Sequence, residues 1–358
     1  MIVIFCVVLI GIIFYNVKKS TLNVKEGAFV SLGDKTYIKK NDVDVIYLAG
    51  GCFWGIEKLM QAIPGVVGAT SGYANGDSKI IPTYEKICAG GTGYKEAVRV
   101  EYRKKDVSLE SILSAYFSVI DPTVKNRQGN DRGSQYQSGI YYADDTSEKI
   151  VKQVAEREKM RYKNFSVEIE PLTNFYDAEE YHQNYLKKNP TGYCHISNEK
   201  IEKASKITVE SSDYKRPSME EISKKLTEAQ FNVTQKSATE PPFKNEFWEH
   251  KERGIYVDIV TGEPLFSSTD KYDGSCGWPS FTKPIDENSI VNIKDYNLGM
   301  VRTEVKSRVG DSHLGHVFQG DPESPNGTRF CINSASLRFI PYDEMDKEGY
   351  GNLKEFVK

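Results

Sequence analysis

Apolar and polar positions follow two different periods along the first half of the chain. The apolar run at residues 43–48 predicts a buried strand, which leads into the turn Ala49-Gly50-Gly51. Helical spacing then relates the apolar residues Phe53, Ile56, Leu59, Met60 and Ile63. Pro64-Gly65 marks the end of this helix. Residues 97–102 alternate as a strand does, and residues 109–120 and 149–163 each predict an amphipathic helix. Strands that alternate with helices predict an α/β or α+β domain over residues 44–197.

The second half has a different pattern. Residues 198–217 are rich in Lys, Glu and Ser without a strong apolar period, so we interpret them as a linker. A short helix is predicted from about Met219 to Gln230. Glycine, proline and short alternating runs then predict a smaller, mainly β domain at residues 218–341, followed by a tail at residues 342–358. No internal repeat relates the halves, which indicates two different domains in an α+β protein.

The N-terminus carries an uncharged apolar run from Met1 to Tyr15, followed by Lys18 and Lys19. Its length is at the short end of the roughly 17–25 residues that span a bilayer. We therefore expect a membrane anchor at residues 1–17 and a tether at residues 18–43, with a cleaved signal peptide as the alternative. The two lysines favour a cytoplasmic C-terminal side, but export suits the thiol chemistry below. We therefore expect extracytoplasmic catalytic domains.

Composition limits the function classes. Hydrophobic residues make up 39% and charged residues 27% of the 358, so the chain is not disordered and fits two domains. The formal net charge of −3 gives no reason to expect nucleic-acid binding.

Cys52 lies between the first strand and the first helix. A helix N-terminus stabilises a thiolate, and the adjacent Phe53 and Trp54 are suited to wall an apolar pocket. The alternative is a buried structural cysteine. Glu96 shares a strand face with valines, where a carboxyl acquires a raised pKa and can donate a proton. An equally good interpretation is that the Glu96 side chain points into water. Cys194 is available as a second thiol.

Four separated motifs in the first half resemble those of a known enzyme family. Gly51–Gly55, Pro82-Thr83-Tyr84, Thr92–Glu96 and Gln128–Tyr136 together resemble the A-type peptide methionine sulfoxide reductases, over about residues 44–197. The resemblance implies a mixed sheet with flanking helices, a nucleophilic Cys52 that becomes a sulfenic acid, and a resolving Cys194. It also implies that Phe53 and Trp54 hold the substrate methyl group and that Asp131 shapes the site. Glu96, helped by Tyr84 and Tyr136, would protonate the sulfoxide oxygen. Tyr94-Lys95 replaces the usual His-Ala, and Cys88 is interpreted as a spectator.

A second cysteine site is predicted near the C-terminus. Arg329, Cys331 and Asn333 alternate, so a strand would turn them to one face, where the arginine favours a thiolate. His313 and His316 are three residues apart. Together with Cys276 and Cys331 they also permit a Cys2His2 zinc site, although no close cysteine pair supports it.

Motifs around Cys276, His313 and Cys331 resemble the B-type methionine sulfoxide reductases, over about Ser218 to Pro341. The resemblance implies that Cys331 is the nucleophile and Cys276 the resolving thiol. By the same resemblance Trp278 holds the methyl group, His313, His316 and Asn333 orient or protonate the oxygen, and Arg329 tunes the thiolate. Many B-type enzymes hold zinc with four cysteines. The matching positions here are Asp258, Thr261, Ser307 and Gly310, so no zinc is expected.

The two resemblances imply a two-domain enzyme that reduces methionine sulfoxide, free and in oxidised proteins. The A-type domain would take the S epimer and the B-type domain the R epimer. No bound cofactor is expected, but an external dithiol reductant such as thioredoxin must reset each disulfide. Two other interpretations stay open, namely an exported binding protein with fixed disulfides and a zinc protein. Because the linker looks long and polar, the domains are expected to act independently.

Overall fold

A mixed six-stranded sheet organises the first domain. The computed structural model describes residues 34, 37, 40–295 and 301–358. The strands lie in the order β7-β6-β1-β3-β2-β8, and all neighbours are antiparallel except β6 and β7. They are β1 (Asp44–Ala49), β2 (Val66–Ala74), β3 (Lys95–Tyr102), β6 (Gly139–Tyr142), β7 (Glu168–Pro171) and β8 (Phe175–Asp177). The short pair β4 (Arg127–Gln128) and β5 (Asp131–Arg132) forms a separate two-stranded ribbon. The predicted mixed sheet is therefore confirmed.

Helices cover one face of this sheet. They are α1 (Phe53–Ala62), α2 (Tyr84–Ala89), α3 (Leu109–Val119), α4 (Asp145–Met160), α5 (Tyr185–Lys188) and α6 (Asn198–Ser205). Ile46 and Val98 of the sheet and Ile56 and Leu59 of α1 are fully buried in one apolar cluster. Burying such an apolar stripe supplies most of the stability of short helices. The predicted helices at 53–63, 109–120 and 149–163 are confirmed, and the third begins earlier because Asp144 caps it.

The N-terminal part of the chain reaches the opposite face of the sheet. Asp34 is buried, accepts a hydrogen bond from the Tyr47 hydroxyl at 2.9 Å and pairs with Arg99 at 2.9 Å. The predicted anchor and most of the predicted tether lie outside the described residues. Among the helices of the described part, none is long and apolar enough to cross a membrane.

Two antiparallel sheets build the second domain, as predicted for a mainly β fold. The smaller has the order β10-β9-β17, and the larger the order β11-β12-β16-β15-β14-β13. The strands are β9 (Gly254–Asp258), β10 (Pro264–Ser267), β11 (Lys271–Tyr272), β12 (Ser280–Phe281), β13 (Ile290–Asp295), β14 (Arg302–Ser307), β15 (His313–Gln319), β16 (Thr328–Ile332) and β17 (Leu337–Pro341). Aromatic side chains dominate the core between the sheets, including Tyr256, Phe266 and Phe281.

The helix predicted from 219 to 230 is two helices, α7 (Met219–Lys225) and α8 (Glu228–Lys236). Thr227 breaks the run because its hydroxyl and the Gln230 side chain form a reciprocal capping box. The residues predicted as a C-terminal tail pack against the domain, since Met345, Tyr350 and Leu353 join a buried cluster with Ile255.

The stretch 198–217 is folded between the domains. Helix α6 buries Ile201 and Ala204 in the core of the first domain, although its overall composition is polar. The Asp286 carboxylate of the second domain accepts hydrogen bonds from the Thr208 and Val209 amides at 2.7 and 2.9 Å. These contacts fix the connection to both domains, a result that composition alone did not predict.

A buried arginine joins the two domains directly. Arg161, at the end of α4, has a side chain with no exposed surface. It pairs with Glu158 in its own domain and with Asp311 of the second domain at 3.2 Å. Its guanidinium also donates to the Arg308 carbonyl at 2.6 Å. The domains thus share a buried charged contact, whereas the linker composition predicts only a polar tether between them.

Removing this contact should cost stability. Replacing Arg161 with alanine removes the ion-pair partner of the buried Glu158 and leaves Asp311 paired with Lys306 alone, so we expect a loss of about 3–5 kcal/mol in the free energy of unfolding. Urea denaturation of the full chain measures this loss. Lys159→Ala is the matched control, because its ion pair is exposed and should change stability by less than about 0.5 kcal/mol. Equal midpoints for both variants would contradict a stabilising role.

Candidate active sites

Cys52 occupies the N-cap of α1, at the end of the strand–turn segment that the sequence predicted. Gly51 before it has φ +80°, and a side chain there would collide with Gln128, so glycine is required. The Glu96 carboxylate accepts a hydrogen bond from the Phe53 amide at 3.2 Å. Strand β3 therefore delivers the carboxyl to the first turn of the helix that carries the thiol.

The ionisation states of Cys52 and Glu96 differ from the prediction that the helix N-terminus stabilises a Cys52 thiolate. Burial raises the pKa of the Cys52 thiol, the nearby Glu96 raises it further, and the Trp54 backbone amide opposes both. Burial likewise raises the pKa of Glu96 to about 8, against the opposing Phe53 amide. Because desolvation outweighs the helix N-terminus, the resting site holds a neutral thiol beside a neutral carboxyl.

An aromatic wall stands beside Cys52. Phe53 is buried, and the Trp54 ring stacks on Tyr185 with centroids 3.7 Å apart. His182 completes the wall, with ring centroids 5.0 Å from Phe53 and 4.5 Å from Tyr84. The sequence analysis missed His182, since a lone histidine in a polar stretch carries no pattern.

The remaining predicted residues of the first site converge on the same space. Burial raises the pKa of the Tyr136 hydroxyl, with further contributions from the nearby Glu96 and Tyr84. Burial also raises the pKa of the Tyr84 hydroxyl, and its hydrogen bond to Cys88 raises this pKa further. The Asp131 carboxylate comes to 3.6 Å from the imidazole of His195. Cys88 is exposed on α2.

Cys194 reaches the same helix from the other end of the domain. Its sulfur lies 3.1 Å from the point where a Gly55 side chain would begin, so the second glycine of the motif leaves room for it. Burial raises the pKa of the Cys194 thiol. The fold thus brings Cys194 to the helix that begins directly after Cys52. Its neighbour His195 is a second residue that the sequence analysis passed over.

In the second domain the two predicted cysteines lie side by side. The sulfurs of Cys276 and Cys331 are 3.3 Å apart. Cys331 lies on β16 opposite Ser280 of β12, and Cys276 lies in the loop before β12. The Ser280 hydroxyl is 3.3 Å from the Cys276 sulfur. Strand β16 and the loop before β12 therefore hold the two thiols close enough to form a disulfide with a small movement.

The two thiols titrate as a pair. The hydrogen bond from Cys331 lowers the pKa of Cys276 to about 5. The same hydrogen bond raises the pKa of Cys331, because a second thiolate beside the first would repel it. Arg329 favours ionisation of both thiols, as predicted, and pairs with Asp321 at 2.7 Å.

His313 and His316 lie on a strand, where residues three apart ordinarily face opposite sides. Pairing of β14 with β15 shifts register between Val305 and Lys306, which leaves Leu314 as an extra residue. The bulge turns both rings to one side, with centroids 5.6 Å apart. Gly315 allows the close approach, since any side chain there would strike the Cys331 carbonyl.

Carboxylates hold both imidazoles. His313 Nδ1 is 2.6 Å from a Glu304 oxygen, and His316 Nε2 is 3.0 Å from an Asp295 oxygen. His316 lies directly opposite Cys331 in the strand pairing. His313 Nε2 has no hydrogen-bond partner in the described part of the chain. This nitrogen is therefore available to a bound molecule.

The side chains of Asn333 and Trp278 form hydrogen bonds with the backbone of the loop around Glu240. The Asn333 amide accepts from the Glu240 amide at 3.1 Å and donates to the Leu314 carbonyl at 3.0 Å. The Trp278 indole donates to the Glu240 carbonyl at 3.0 Å. Both ends of the Asn333 side chain are thus occupied by backbone, which suits a residue that positions the site.

The four positions that match the zinc ligands of other B-type chains come together without metal-ligand chemistry. The buried Asp258 carboxylate accepts hydrogen bonds from Thr261 at 3.0 Å, Ser307 at 2.9 Å and Ser312 at 3.0 Å. At Gly310 a side chain would lie 1.9 Å from that carboxylate. One carboxylate with neutral hydroxyls does not fit zinc, which prefers thiolate and imidazole. Among the described residues, no group of three or more His, Cys, Asp or Glu is arranged for a metal.

The thiol pair predicts a specific reactivity. We expect iodoacetamide to alkylate Cys276 already at about pH 6, because its pKa is lowered to about 5. In Cys331→Ala the hydrogen bond is lost, so the pKa of Cys276 rises and alkylation should require pH values near 8. Peptide mass spectrometry across a pH series measures the site. Cys88→Ala is the control and should leave the profile of Cys276 unchanged. Identical profiles with and without Cys331 would contradict the pairing.

Comparison with known proteins assigns both halves. Residues 44–214 match the family model for peptide methionine sulfoxide reductase, and residues 226–341 match the model for the SelR domain. Reduced Mxr1 from Saccharomyces cerevisiae is 37% identical, over 47% of this chain and 98% of Mxr1, with a TM-score of 0.43.

Two further solved structures are similar to part of the chain. Methionine sulfoxide reductase A of Corynebacterium diphtheriae is 37% identical over 43% of this chain and 79% of that protein, with a TM-score of 0.38. Mxr1 in complex with Trx2 is 26% identical over 44% and 94% of the two chains, with a TM-score of 0.31. Because the two family models together match most of the chain, it belongs to the methionine sulfoxide reductases, with a peptide methionine sulfoxide reductase domain followed by a SelR domain.

Proposed function

We propose that the chain repairs oxidised methionine, both free and in proteins, through two separate active sites. Cys52 serves the S epimer and Cys331 the R epimer. The observation that carries the proposal is that each site places a second cysteine and a proton-handling group near the first. In the second domain the two sulfurs are 3.3 Å apart, and in the first Glu96 binds the amide that follows Cys52.

In the first domain, the aromatic wall of Phe53 and Trp54 receives the methyl group of the sulfoxide. Glu96 is protonated at neutral pH because its pKa is raised to about 8, so it can donate to the sulfoxide oxygen. Cys52 attacks the sulfoxide sulfur. The oxygen then passes to Cys52 as a sulfenic acid, methionine leaves, and the thiol proton replaces the one that Glu96 gave.

Formation of a disulfide completes the cycle. Cys194 attacks the sulfenic acid of Cys52, so a sulfur–sulfur bond forms and water leaves. Over the whole cycle, one sulfoxide is reduced to a thioether and two thiols are oxidised to one disulfide.

In the second domain, Cys331 is the nucleophile. It attacks after passing its proton to the Cys276 thiolate 3.3 Å away, and Cys276 then resolves its sulfenic acid. The His313 nitrogen without a protein partner is the donor to the sulfoxide oxygen, and Glu304 orients the ring through the other nitrogen. Trp278 holds the methyl group. Asn333 positions the loop around Glu240 and makes one hydrogen bond at each end of its amide, and its second N–H is left to orient the sulfoxide oxygen.

Each turnover leaves a disulfide, so two electrons must come from an external dithiol. A thioredoxin-type donor supplies them, because thiol–disulfide exchange needs only that one sulfur of the pair be accessible. Cys194 is partly exposed whereas Cys52 is buried, which makes Cys194 the sulfur for the donor to attack in the first domain. In the second domain Cys276 and Cys331 are both partly exposed, so either sulfur is open to the donor.

The apolar run Met1–Tyr15 supports a membrane anchor. The extracytoplasmic placement of the catalytic domains rests on their thiol chemistry, against the orientation that Lys18 and Lys19 favour. Washing membranes with carbonate and adding protease from outside tests this placement. Release by carbonate would contradict the anchor, and protection from external protease would contradict the orientation.

Epimer-resolved turnover tests the two-site proposal. With dithiothreitol as reductant, Cys52→Ser should lower S-sulfoxide reduction by more than about 1,000-fold and leave R-sulfoxide reduction unchanged. Cys331→Ser should do the reverse, so each variant is the control for the other. Loss of both activities in either variant, or of neither, would contradict separate sites.

The protonation of Glu96 predicts a pH profile for the first site. Since the acid form is the donor, S-sulfoxide reduction should hold below pH 8 and decline above it, as the pKa of about 8 is passed. Glu96→Gln should lower the rate by about 100-fold or more and abolish this decline. Reduction of the R epimer by the same variant is the internal control. A decline that persists in Glu96→Gln would assign the titration to another group.

A further inference from the structure

A buried histidine in the first site has no role in the mechanism so far. The His195 side chain is only 4% exposed, and neither ring nitrogen makes a hydrogen bond of good geometry within the described chain, although the Gly50 backbone lies close enough to favour the protonated ring. One oxygen of Asp131 is also buried without a partner and lies 3.6 Å from His195 Nδ1. Leaving buried polar atoms unpaired costs free energy, which suggests a use in the reaction.

The ring lies beside the resolving cysteine. His195 Cε1, the atom between the two nitrogens, is 3.4 Å from the point where a Gly55 side chain would begin. The Cys194 sulfur is 3.1 Å from the same point. The same ring atom is 3.2 Å from the corresponding point at Gly51, the residue that precedes Cys52. The imidazole is therefore close to both the resolving thiol and the turn that carries the nucleophile.

The resolving step needs a proton carrier at this place. Cys194 must lose its proton to attack the sulfenic sulfur of Cys52, and the hydroxide that leaves must gain one. Burial raises the pKa of the Cys194 thiol, so it does not ionise by itself near neutrality. Glu96 is engaged with the Phe53 amide and is assigned to the sulfoxide oxygen.

We propose that His195, oriented by Asp131, accepts the proton of Cys194 as that thiol attacks and returns it to the departing hydroxide. The sulfur–sulfur bond forms, the sulfur–oxygen bond of the sulfenic acid breaks, and water leaves. This inference rests on the proposed function of the first site, and it assigns a base to that site's second step alone.

The surroundings of the ring suit a base that is unprotonated at rest. Burial lowers the pKa of His195, and the nearby Lys200 acts in the same direction, whereas Asp131 and the Gly50 backbone favour the imidazolium. Other titratable groups also surround this space. Cys52 and Cys194 are neutral thiols in the resting protein, the Tyr193 hydroxyl lies beside Asp131, and Glu96, Tyr136 and Lys58 are nearby. A ring that is neutral at rest and can gain a carboxylate partner on protonation meets the need of a transient proton carrier.

Single-turnover kinetics separate the two chemical steps. The parent is the full chain with Cys276→Ser and Cys331→Ser, mixed with excess S-methionine sulfoxide without reductant. The first methionine released reports the Cys52 step, and peptide mass spectrometry of quenched samples reports the Cys52–Cys194 disulfide. In His195→Gln the first methionine should appear within about twofold of the parent rate, whereas the disulfide should form about 100-fold more slowly.

The pH dependence distinguishes a base from a structural residue. In His195→Gln, disulfide formation should rise about tenfold per pH unit between pH 6 and 8, because the thiolate of Cys194 must then form without help. The parent should respond less steeply in this range. In His195→Ala, added imidazole should restore part of the rate.

Two control variants help to distinguish a proton-transfer role of His195 from a structural one. Cys194→Ser gives the baseline without a disulfide, and His250→Gln, a histidine of the other domain, should match the parent in both steps. Equal slowing of both steps, or an unchanged pH profile in His195→Gln, would overturn the proposal. If the parent released no methionine, the proposed function itself would fail, and the inference would fall with it.

Discussion

Burial of a reactive sulfur beside a proton-handling partner is the constraint on which both sites depend. A desolvated thiol resists ionisation, as the raised pKa of Cys52 shows. Each domain places a different neighbour beside this sulfur, and in both domains the neighbour raises the pKa of the nucleophilic thiol further. Strand β3 sets the Glu96 carboxyl against the first turn of α1, whereas strand β16 sets Cys331 against the thiol of Cys276. The same sulfur chemistry is thus reached once through a buried acid and once through a thiol pair with carboxylate-held imidazoles.

The connection between the domains is part of the structure rather than a spacer. Arg161 of the first domain pairs with Asp311 in the turn before β15, and β15 begins with His313. Asp286 of the second domain holds the backbone of residues 208 and 209. The turn that leads into the strand carrying His313 is therefore fastened to the other domain. The two sites carry out separate reactions, whereas the contacts between the domains stabilise the folded structure around both sites.

Much of this was readable from the sequence. The strand before Cys52, helix α1 and the mainly β character of the second half follow from apolar periodicity and turn residues. The site residues follow from motifs. The rest depends on tertiary geometry. The bulge at Leu314 that unites His313 with His316 arises from strand register, which local pattern does not encode. Desolvation of Cys52 reversed the expected effect of the helix N-terminus, and His182 and His195 gain meaning only where distant segments meet.

The central claim is that each epimer drives its own cysteine pair, and disulfide mapping tests it most directly. One equivalent of a single epimer is added to the fully reduced chain, thiols are blocked, and bridged peptides are identified by mass spectrometry. The S epimer should yield only the Cys52–Cys194 bridge and the R epimer only the Cys276–Cys331 bridge. The same bridge from both epimers, or a bridge between the domains, would contradict the account.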